Sequence, residues 1–312
     1  MTQQYNRRTF VHAAAGLPIL TTQAHAQELR QGNAAKNSDA SMDMPLGIIM
    51  GVKDPEKDLA RVRELGFSTC QLSVGDYSKD HARRVEAALK KYSLRPTSLI
   101  CMGPGNYVWN FYEGPKTIGL VPREQRAERA ARLREGTDFC REAGIPAVHA
   151  HFGFIPEDPN DALYGEFIDA MKGVAGYARE RGIEVRFETG QETPVTLLRA
   201  IEDIGTDNLG INYDTANLIL YGKANPVDGL DVVGAQVRSL HAKDGFYPTN
   251  PKELGREVPI GEGKVDFPRL IRKLKDIDFK GHITIEREIS GPKQTEDILK
   301  SKKFLEELIK TV

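Results

Sequence analysis

The sequence predicts a closed α/β barrel in which eight parallel strands alternate with eight helices. From Pro45 onward, short apolar runs rich in β-branched residues alternate with longer amphipathic segments, which is the pattern of βαβ units around a parallel sheet. This pair repeats eight times, and 312 residues suffice for one large barrel. A doubly wound open sheet is the alternative, but it needs a glycine-rich turn that opens a helix, and "GPGNYVWNFYEGP" has the glycines without the helix start.

The first 26 residues predict an export signal of the twin-arginine type. Arg7 and Arg8 precede an apolar run too short to span a bilayer, and "AHA" ends at Ala26 with the small residues of a cleavage site. Residues 27–44 are polar and rich in small residues, which predicts a disordered linker before a barrel over residues 45–312. We therefore expect a periplasmic or otherwise exported protein without a membrane anchor. A cytosolic protein with an accidental arginine pair is the alternative.

Eight apolar runs are the predicted strands: "LGIIMG", "FSTCQLSV", "PTSLICMG", "AVHAHFG", "EVRFETG", "LGINYDT", "QVRSLHAKD" and "HITIERE". The segments between them carry apolar residues at three- and four-residue spacing and end near a glycine, as "DPEKDLARVRELG" and "GEFIDAMKGVAGYARERG" do. In such a barrel the carboxyl ends of all strands lie on one face, and functional residues are placed there. The last residues of each strand are therefore the candidate site.

Potential metal ligands end the last four predicted strands: Glu188, Asp214, His241 and Glu286. A carboxylate at the inner end of an apolar strand is destabilised unless a cation or hydrogen-bond donors compensate its desolvation. Adjacent strands lie about 4.8 Å apart, so these side chains can converge on one ion. Three carboxylates and an imidazole form a hard ligand set, so we expect one divalent ion, Mn²⁺ first, with Mg²⁺ or Co²⁺ as alternatives. The competing interpretation is that each residue is merely polar where a strand enters a loop.

The motifs "FETG", "NYDTAN", "HAKDG", "IGEGKVDF" and "ITIERE" resemble those of the xylose isomerase-like barrels, which include ketose 3-epimerases, hydroxypyruvate isomerase and inosose dehydratase. The resemblance covers roughly Pro45 to the C-terminus. It implies that the four residues above bind one divalent metal and that Glu188 and Glu286 are also the catalytic residues that move protons. Asn217 stands where the epimerases commonly place a histidine.

This arrangement suits proton transfer at a carbon next to a carbonyl. Removing that proton generates an enediolate, which a divalent ion stabilises as a Lewis acid, while two carboxylates serve as base and acid. We therefore predict an isomerase or epimerase acting on a keto sugar. Loss of a leaving group from the same intermediate gives the alternative, a lyase or dehydratase acting on a keto sugar or 3-keto-glycoside.

Other residues are candidate substrate ligands. His149 and His151 lie two apart on the fourth strand and so share a face, with His151 nearer the mouth. Trp109, the only tryptophan, lies in an aromatic loop with the character of a lid. The remaining candidates are Asn217, Lys243 and Arg256, with Arg287 beside Glu286. Backbone contacts, a hydrophobic anchor under the loop, salt bridges or a surface position are the structural alternatives for these residues.

Composition argues for a small-molecule partner. The 44 acidic and 43 basic residues almost cancel, and seven histidines are few for the multi-zinc cluster of an abasic-site endonuclease, so we expect no nucleic-acid partner. A non-catalytic carbohydrate-binding protein is a further alternative, although pure binding does not require two glutamates. Cys70, Cys101 and Cys140 lack zinc spacing and predict buried free thiols. Whether the chain forms a homo-oligomer is left open.

Overall fold

In the computed structural model, which describes residues 44–312, eight parallel strands close into a barrel. The barrel strands are β1 (Leu46–Val52), β2 (Thr69–Val74), β3 (Arg95–Ile100), β4 (Ala147–Ala150), β5 (Glu184–Glu188), β6 (Leu209–Asp214), β7 (Val237–Ala242) and β10 (His282–Ile285). Strand β1 closes the barrel because it pairs with β2 on one side and β10 on the other. The predicted barrel is confirmed, and the open-sheet alternative is wrong.

The predictions for the N-terminal segment concern residues outside the described part of the chain. The predicted signal, residues 1–26, and residues 27–43 of the predicted linker lie outside the residues that the structure describes. Within residues 44–312, no helix is both long and apolar enough to cross a membrane.

The helices are α1 (Pro55–Glu64), α2 (Lys79–Lys91), α3 (Gly114–Thr117), α4 (Arg123–Ala143), α5 (Ala162–Arg179), α6 (Pro194–Ile204), α7 (Thr215–Leu220), α8 (Pro226–Val233), α9 (Phe267–Asp276) and α10 (Pro292–Thr311). Several begin at a side chain that accepts a backbone N–H of the first turn, as Asp54 and Ser78 do. Helices α4 and α6 end at Gly144 and Gly205, whose left-handed backbone suits glycine. Capping side chains therefore begin helices, and glycines end them, as the sequence pattern predicted.

Strand β6 shows how an entirely buried strand divides its side chains between two environments. The Tyr213 hydroxyl points outward and donates to Pro226 O at 2.7 Å, at the start of α8. Its neighbour Asn212 points into the barrel, where it accepts a hydrogen bond from Gln71 of β2 at 3.3 Å. Because side chains alternate along a strand, Asp214 shares the interior direction of Asn212. The apolar appearance of β6 therefore comes from its outward residues.

A short antiparallel hairpin, β8 (Asp244–Phe246) and β9 (Arg256–Val258), follows β7 and was not predicted. The buried Asp244 carboxylate accepts backbone N–H groups of Gly245, Gly261, Gly263 and Val265 at 2.8–3.0 Å. A Cβ at Gly263 would lie 2.1 Å from Asp244 Oδ1, so only glycine fits. The "KDG" and "IGEGKV" motifs therefore encode a loop folded around one carboxylate. Two three-residue strands are too short to show periodicity.

Candidate metal centre

The predicted ligands meet at the carboxyl ends of β5, β6, β7 and β10. One donor atom from each of Glu188, Asp214, His241 and Glu286 lies within 4.8 Å of the other three. His241 Nδ1 is 3.0 Å from Glu188 Oε1, 3.1 Å from Glu286 Oε2 and 3.6 Å from Asp214 Oδ2. Two ligands bound at about 2.1 Å from one ion are themselves about 3.0–3.4 Å apart at ordinary coordination angles. The spacing therefore matches atoms that share one cation.

Three of these atoms also lack any hydrogen-bond partner. Asp214 Oδ2, His241 Nδ1 and Glu286 Oε2 are buried, and each is left unsatisfied. An unpaired buried polar atom typically costs about 1–3 kcal/mol, and more when it is charged. A divalent cation would satisfy all three at once, so the residues present fit a bound metal.

A hydrogen-bond chain across the barrel sets the orientation of His241. Its Nε2 lies 2.5 Å from Gln71 Oε1, an acceptor, so Nε2 carries a proton and Nδ1 is the ring nitrogen that faces the carboxylates. The Gln71 amide in turn donates to Asn212 Oδ1 at 3.3 Å, which also accepts from the Ser239 hydroxyl at 2.6 Å. Sequence analysis missed Gln71, Asn212 and Ser239. A polar residue within each of three buried strands was the available signal.

Asp214 is oriented by the helix that begins beside it. Its Oδ1 accepts the backbone N–H of Asn217 at 2.7 Å and caps α7. Its own N–H donates to Thr189 Oγ1 at 2.8 Å, which ties the end of β6 to the end of β5. With one oxygen used in the cap, the other remains directed at the cluster.

The buried charges shift one another's protonation equilibria. Burial would raise the pKa of Glu188, but His151 and His241 outweigh it and hold that pKa well below its ordinary value. Burial raises the pKa of Asp214 to about 7, against the opposing charge of Lys243. Burial would also raise the pKa of Glu286, yet Lys243 and His241 hold it well below its usual range. The proposed base and acid positions are therefore both ionised at neutral pH.

The two histidines of β4 both approach Glu188, as their spacing predicts. His149 Nε2 is 3.4 Å from Glu188 Oε2, and its Nδ1 is 2.9 Å from the Ser98 hydroxyl. His151 Nε2 is 3.4 Å from Glu188 Oε1, and its Nδ1 is 3.2 Å from Gln191 Oε1. His149 is fully buried, whereas His151 borders the open cavity, so His151 is the better placed to meet a substrate.

Lys243 is buried among carboxylates beside the cluster. Its Nζ is 3.0 Å from Glu288 Oε2, 3.3 Å from Glu286 Oε2 and 3.7 Å from Asp214 Oδ2. It also donates to Asn217 Oδ1 at 3.3 Å. Lys243 therefore pairs with the ligand carboxylates and positions the Asn217 amide.

An open cavity of about 420 Å³ lies above the ligands, and we call it the metal-side cavity. Its polar lining comprises the ligands Glu188, His241 and Glu286 with His151, Asn217 and Glu288. Its apolar lining comprises Ile100, Met102, Trp109, Leu220, Tyr221 and Leu254. Tyr221 Oη is buried without a hydrogen-bond partner, which leaves a polar group for a ligand to meet.

One residue of the aromatic loop lines the metal-side cavity, and the others pack around it. Trp109 packs edge-on against the His151 ring at a centroid distance of 5.1 Å and stacks on Tyr107 at 6.2 Å. Tyr107 is held by the Arg129 guanidinium, 4.3 Å above its ring, and Phe111 packs on Tyr221 at 6.2 Å. Of this loop, Trp109 is the aromatic residue that lines the metal-side cavity.

Both arginine candidates are engaged elsewhere. Arg256 is exposed on β9, with its guanidinium 5.2 Å from the Phe246 ring centroid. Arg287 is bound by Glu257 at 2.9 Å and Asp297 at 3.0 Å. Neither lines the metal-side cavity. Arg287 instead fixes the end of β10 to the hairpin and to α10.

The fold and site together define a (β/α)8 barrel with acidic and histidine donors suited to a single divalent ion at the strand ends. A family model described as xylose isomerase-like TIM barrel matches residues 59–308. The chain therefore belongs to the xylose isomerase-like TIM barrel family. Proteins similar to it include an L-ribulose 3-epimerase and a human hydroxypyruvate isomerase-like protein.

Individual relatives agree with this assignment. A xylose isomerase domain protein from Planctomyces limnophilus has a solved structure with 33% identity and a TM-score of 0.82, over 86% of this chain and 98% of that one. An uncharacterized protein of Methanocaldococcus jannaschii is 29% identical over 192 residues, 58% of this chain and 62% of that protein. The L-ribulose 3-epimerase of a Methylomonas species is 26% identical over 175 residues, 52% of this chain and 57% of that enzyme. The matches thus span about three fifths of these curated relatives.

Proposed function

We propose that this protein is a divalent-metal-dependent isomerase or epimerase of keto sugars. The observation that carries the proposal is the convergence of three buried donor atoms without a hydrogen bond, on Asp214, His241 and Glu286, below an open cavity. Lys243 lies 3.3 Å from Glu286 Oε2 and 3.7 Å from Asp214 Oδ2, but buried polar atoms in a purely structural cluster usually make hydrogen bonds as well. The Methylomonas relative, an L-ribulose 3-epimerase, supports the same class of substrate.

Glu188 and Glu286 are the proposed proton carriers. Both are held ionised by cationic neighbours, so either can accept a proton from a carbon next to a carbonyl. A divalent ion held by the four ligands would supply Lewis-acid stabilisation of the negative charge that develops on the substrate oxygens. Inversion of the carbon requires the opposite carboxylate first to take up a proton from solvent and then to deliver it to the other face, while the abstracted proton leaves the first carboxylate to solvent. Delivery of the abstracted proton to the neighbouring carbon instead isomerises the sugar.

The remaining cavity residues bind and orient the substrate in this proposal. His151 and the Asn217 amide present polar groups to the sugar hydroxyls, while Trp109 offers an aromatic face to its C–H face. No arginine or lysine lines the metal-side cavity among the described residues, so the protein offers a phosphate group no guanidinium or ammonium partner there. We therefore propose an uncharged keto sugar as the substrate.

Deuterium exchange tests this function directly. Mn²⁺-loaded protein is incubated in D₂O with a panel of D-fructose, D-tagatose, D-psicose and L-ribulose, and carbon-bound deuterium is measured by mass spectrometry. We expect incorporation into at least one ketose, with loss of about 10²-fold or more in Glu286→Gln. Glu253→Gln, an exposed glutamate on the loop before β9, is the control and keeps full activity. Exchange unaffected by Glu286→Gln, or by chelation, contradicts the proposal.

The same reaction mixtures distinguish the other interpretations. An epimer or isomer is the proposed product, whereas a dehydrated or cleaved sugar identifies a lyase. An abasic-site endonuclease is disfavoured because residues 44–312 contain one such ligand cluster, with a single histidine in it. Binding of a ketose without any exchange would instead indicate a carbohydrate-binding protein.

A further inference from the structure

A second cavity of about 450 Å³ lies on the other side of Glu286. It opens between the end of β1, α1 and the start of α10, and we call it the β1–α10 cavity. Its apolar lining consists of Ile48, Ile49, Met50, Leu65, Ile285 and Ile298. Glu286 and Glu288 line both this cavity and the metal-side cavity. The two cavities are therefore neighbours across a wall of two carboxylate side chains.

The charged groups of the β1–α10 cavity are already neutralised. Arg287 is bound by Glu257 and Asp297, and Arg61 Nη1 is 3.1 Å from Glu64 Oε2. Glu288 is bound by Lys243 at 3.0 Å. An anionic group would compete with the existing carboxylates for these cations, whereas an apolar group would bury aliphatic surface and leave both arginine pairs in place.

The Glu288 side chain, which separates the two cavities, is exposed enough to move. It is 59% exposed and pairs with Lys243. A ligand seated over the metal ligands could extend past Glu288 if that side chain left Lys243, whose Nζ would keep its contacts with Glu286 at 3.3 Å and Asn217 at 3.3 Å. The metal-side cavity alone holds a monosaccharide, so the second cavity provides room for a further group on the same molecule.

We propose that the β1–α10 cavity is a subsite for an apolar aglycone, so that the substrate is a keto sugar carrying an aliphatic or aromatic substituent. This inference rests on the proposed function and narrows its substrate class. The apolar lining would supply affinity through burial of the substituent, while the metal-side cavity holds the reacting ring.

Gly51, at the end of β1, gives a way to fill this cavity. A Cβ built on Gly51 has no heavy atom within 4 Å, and the residue lines the β1–α10 cavity. Gly51→Leu therefore has room for its Cβ and would extend its remaining atoms into the cavity, and Gly51→Ala is the matched control that leaves most of it open. Ile298→Ser, on the α10 side, removes apolar surface by an independent route.

The test compares methyl and phenyl 3-keto-β-D-glucopyranoside by calorimetric titration of the Mn²⁺-loaded protein. We expect the phenyl probe to bind about tenfold more tightly than the methyl probe, and Gly51→Leu and Ile298→Ser to remove most of that advantage. Affinity for the methyl probe stays unchanged in both variants and in Gly51→Ala. Equal affinities in the wild type, equal losses for both probes, or no binding of the phenyl probe overturns the subsite.

Failure of the proposed function and failure of the subsite give different results in the exchange and binding experiments. If no ketose or probe exchanges deuterium, yet the phenyl advantage is present and Gly51→Leu removes it, the isomerase proposal falls and the subsite stands. If exchange occurs and Gly51→Leu leaves the phenyl advantage intact, the subsite falls alone.

Discussion

Asp214 serves the fold and the site at the same time. One carboxylate oxygen caps α7, and the other is buried without a hydrogen-bond donor. The sequence indicates this residue because a carboxylate ends an otherwise apolar strand, and the desolvation argument holds for any fold. Sequence reasoning could mark Gln71 as a polar residue in a buried strand but could not identify its partner, because His241 lies 170 residues away and only barrel closure brings them together.

Gln71→Leu tests the role of that partner. The substitution removes the acceptor that fixes His241 with Nδ1 free, so we expect Mn²⁺ affinity to fall about 10–100-fold by calorimetric titration of metal-free protein. Thr284→Val is the matched control, since Thr284 is buried opposite His241 in the barrel register and its hydroxyl has no partner. A Gln71→Leu protein with wild-type affinity would show that the hydrogen bond does not orient the ligand.

Glu192 predicts a pH dependence of stability that is separate from the site. Burial raises the pKa of this carboxyl from 4.5 to about 8, so the native state binds more protons than the unfolded chain between those values. The free energy of unfolding should therefore fall as pH rises through this window, by up to about 1.4 kcal/mol per pH unit. Glu192→Gln removes this contribution, which urea unfolding between pH 5 and pH 8 measures.

The control for that experiment is Glu202→Gln, an exposed position on α6. It should keep the wild-type slope of unfolding free energy against pH. An unchanged slope in Glu192→Gln would mean that Glu192 is ionised in the native state.

At the scale of elements, the hairpin and its loop hold the mouth of the barrel together. Asp244 collects four backbone N–H groups, and Arg287 ties β10 to Glu257 of β9 and Asp297 of α10. The alternating pattern predicted all eight barrel strands, because each is long enough to show an apolar run. It could not predict β8 and β9, whose pairing depends on one buried carboxylate.

Asp244→Asn should destabilise this loop. The amide keeps one acceptor oxygen, and its NH₂ group faces backbone N–H donors, so we expect a loss of about 2–4 kcal/mol in the free energy of unfolding. Urea unfolding measures it, with Asp278→Asn as the control because Asp278 is exposed and its positive φ of 55° suits asparagine. Wild-type stability in Asp244→Asn would contradict the proposed function of this carboxylate in the loop.

At the scale of the whole molecule, the barrel brings donors from 188 to 286 along the chain to one point above its core. We also propose, from the sequence alone, that the protein is exported by the twin-arginine route. Replacing Arg7 and Arg8 together by lysine should retain the precursor in the cytoplasm, and mass spectrometry of the exported wild type should find Gln27 first. An exported protein that begins at another residue contradicts the predicted cleavage site.

Anomalous diffraction from crystals of the protein soaked with Mn²⁺ tests the central claim most directly. The account predicts one strong anomalous peak about 2.0–2.3 Å from donor atoms of Glu188, Asp214, His241 and Glu286. It also predicts that chelation removes the peak and that Asp214→Asn weakens it. A peak elsewhere, or none at this cluster with the four side chains pointing apart, would contradict a metal-dependent enzyme.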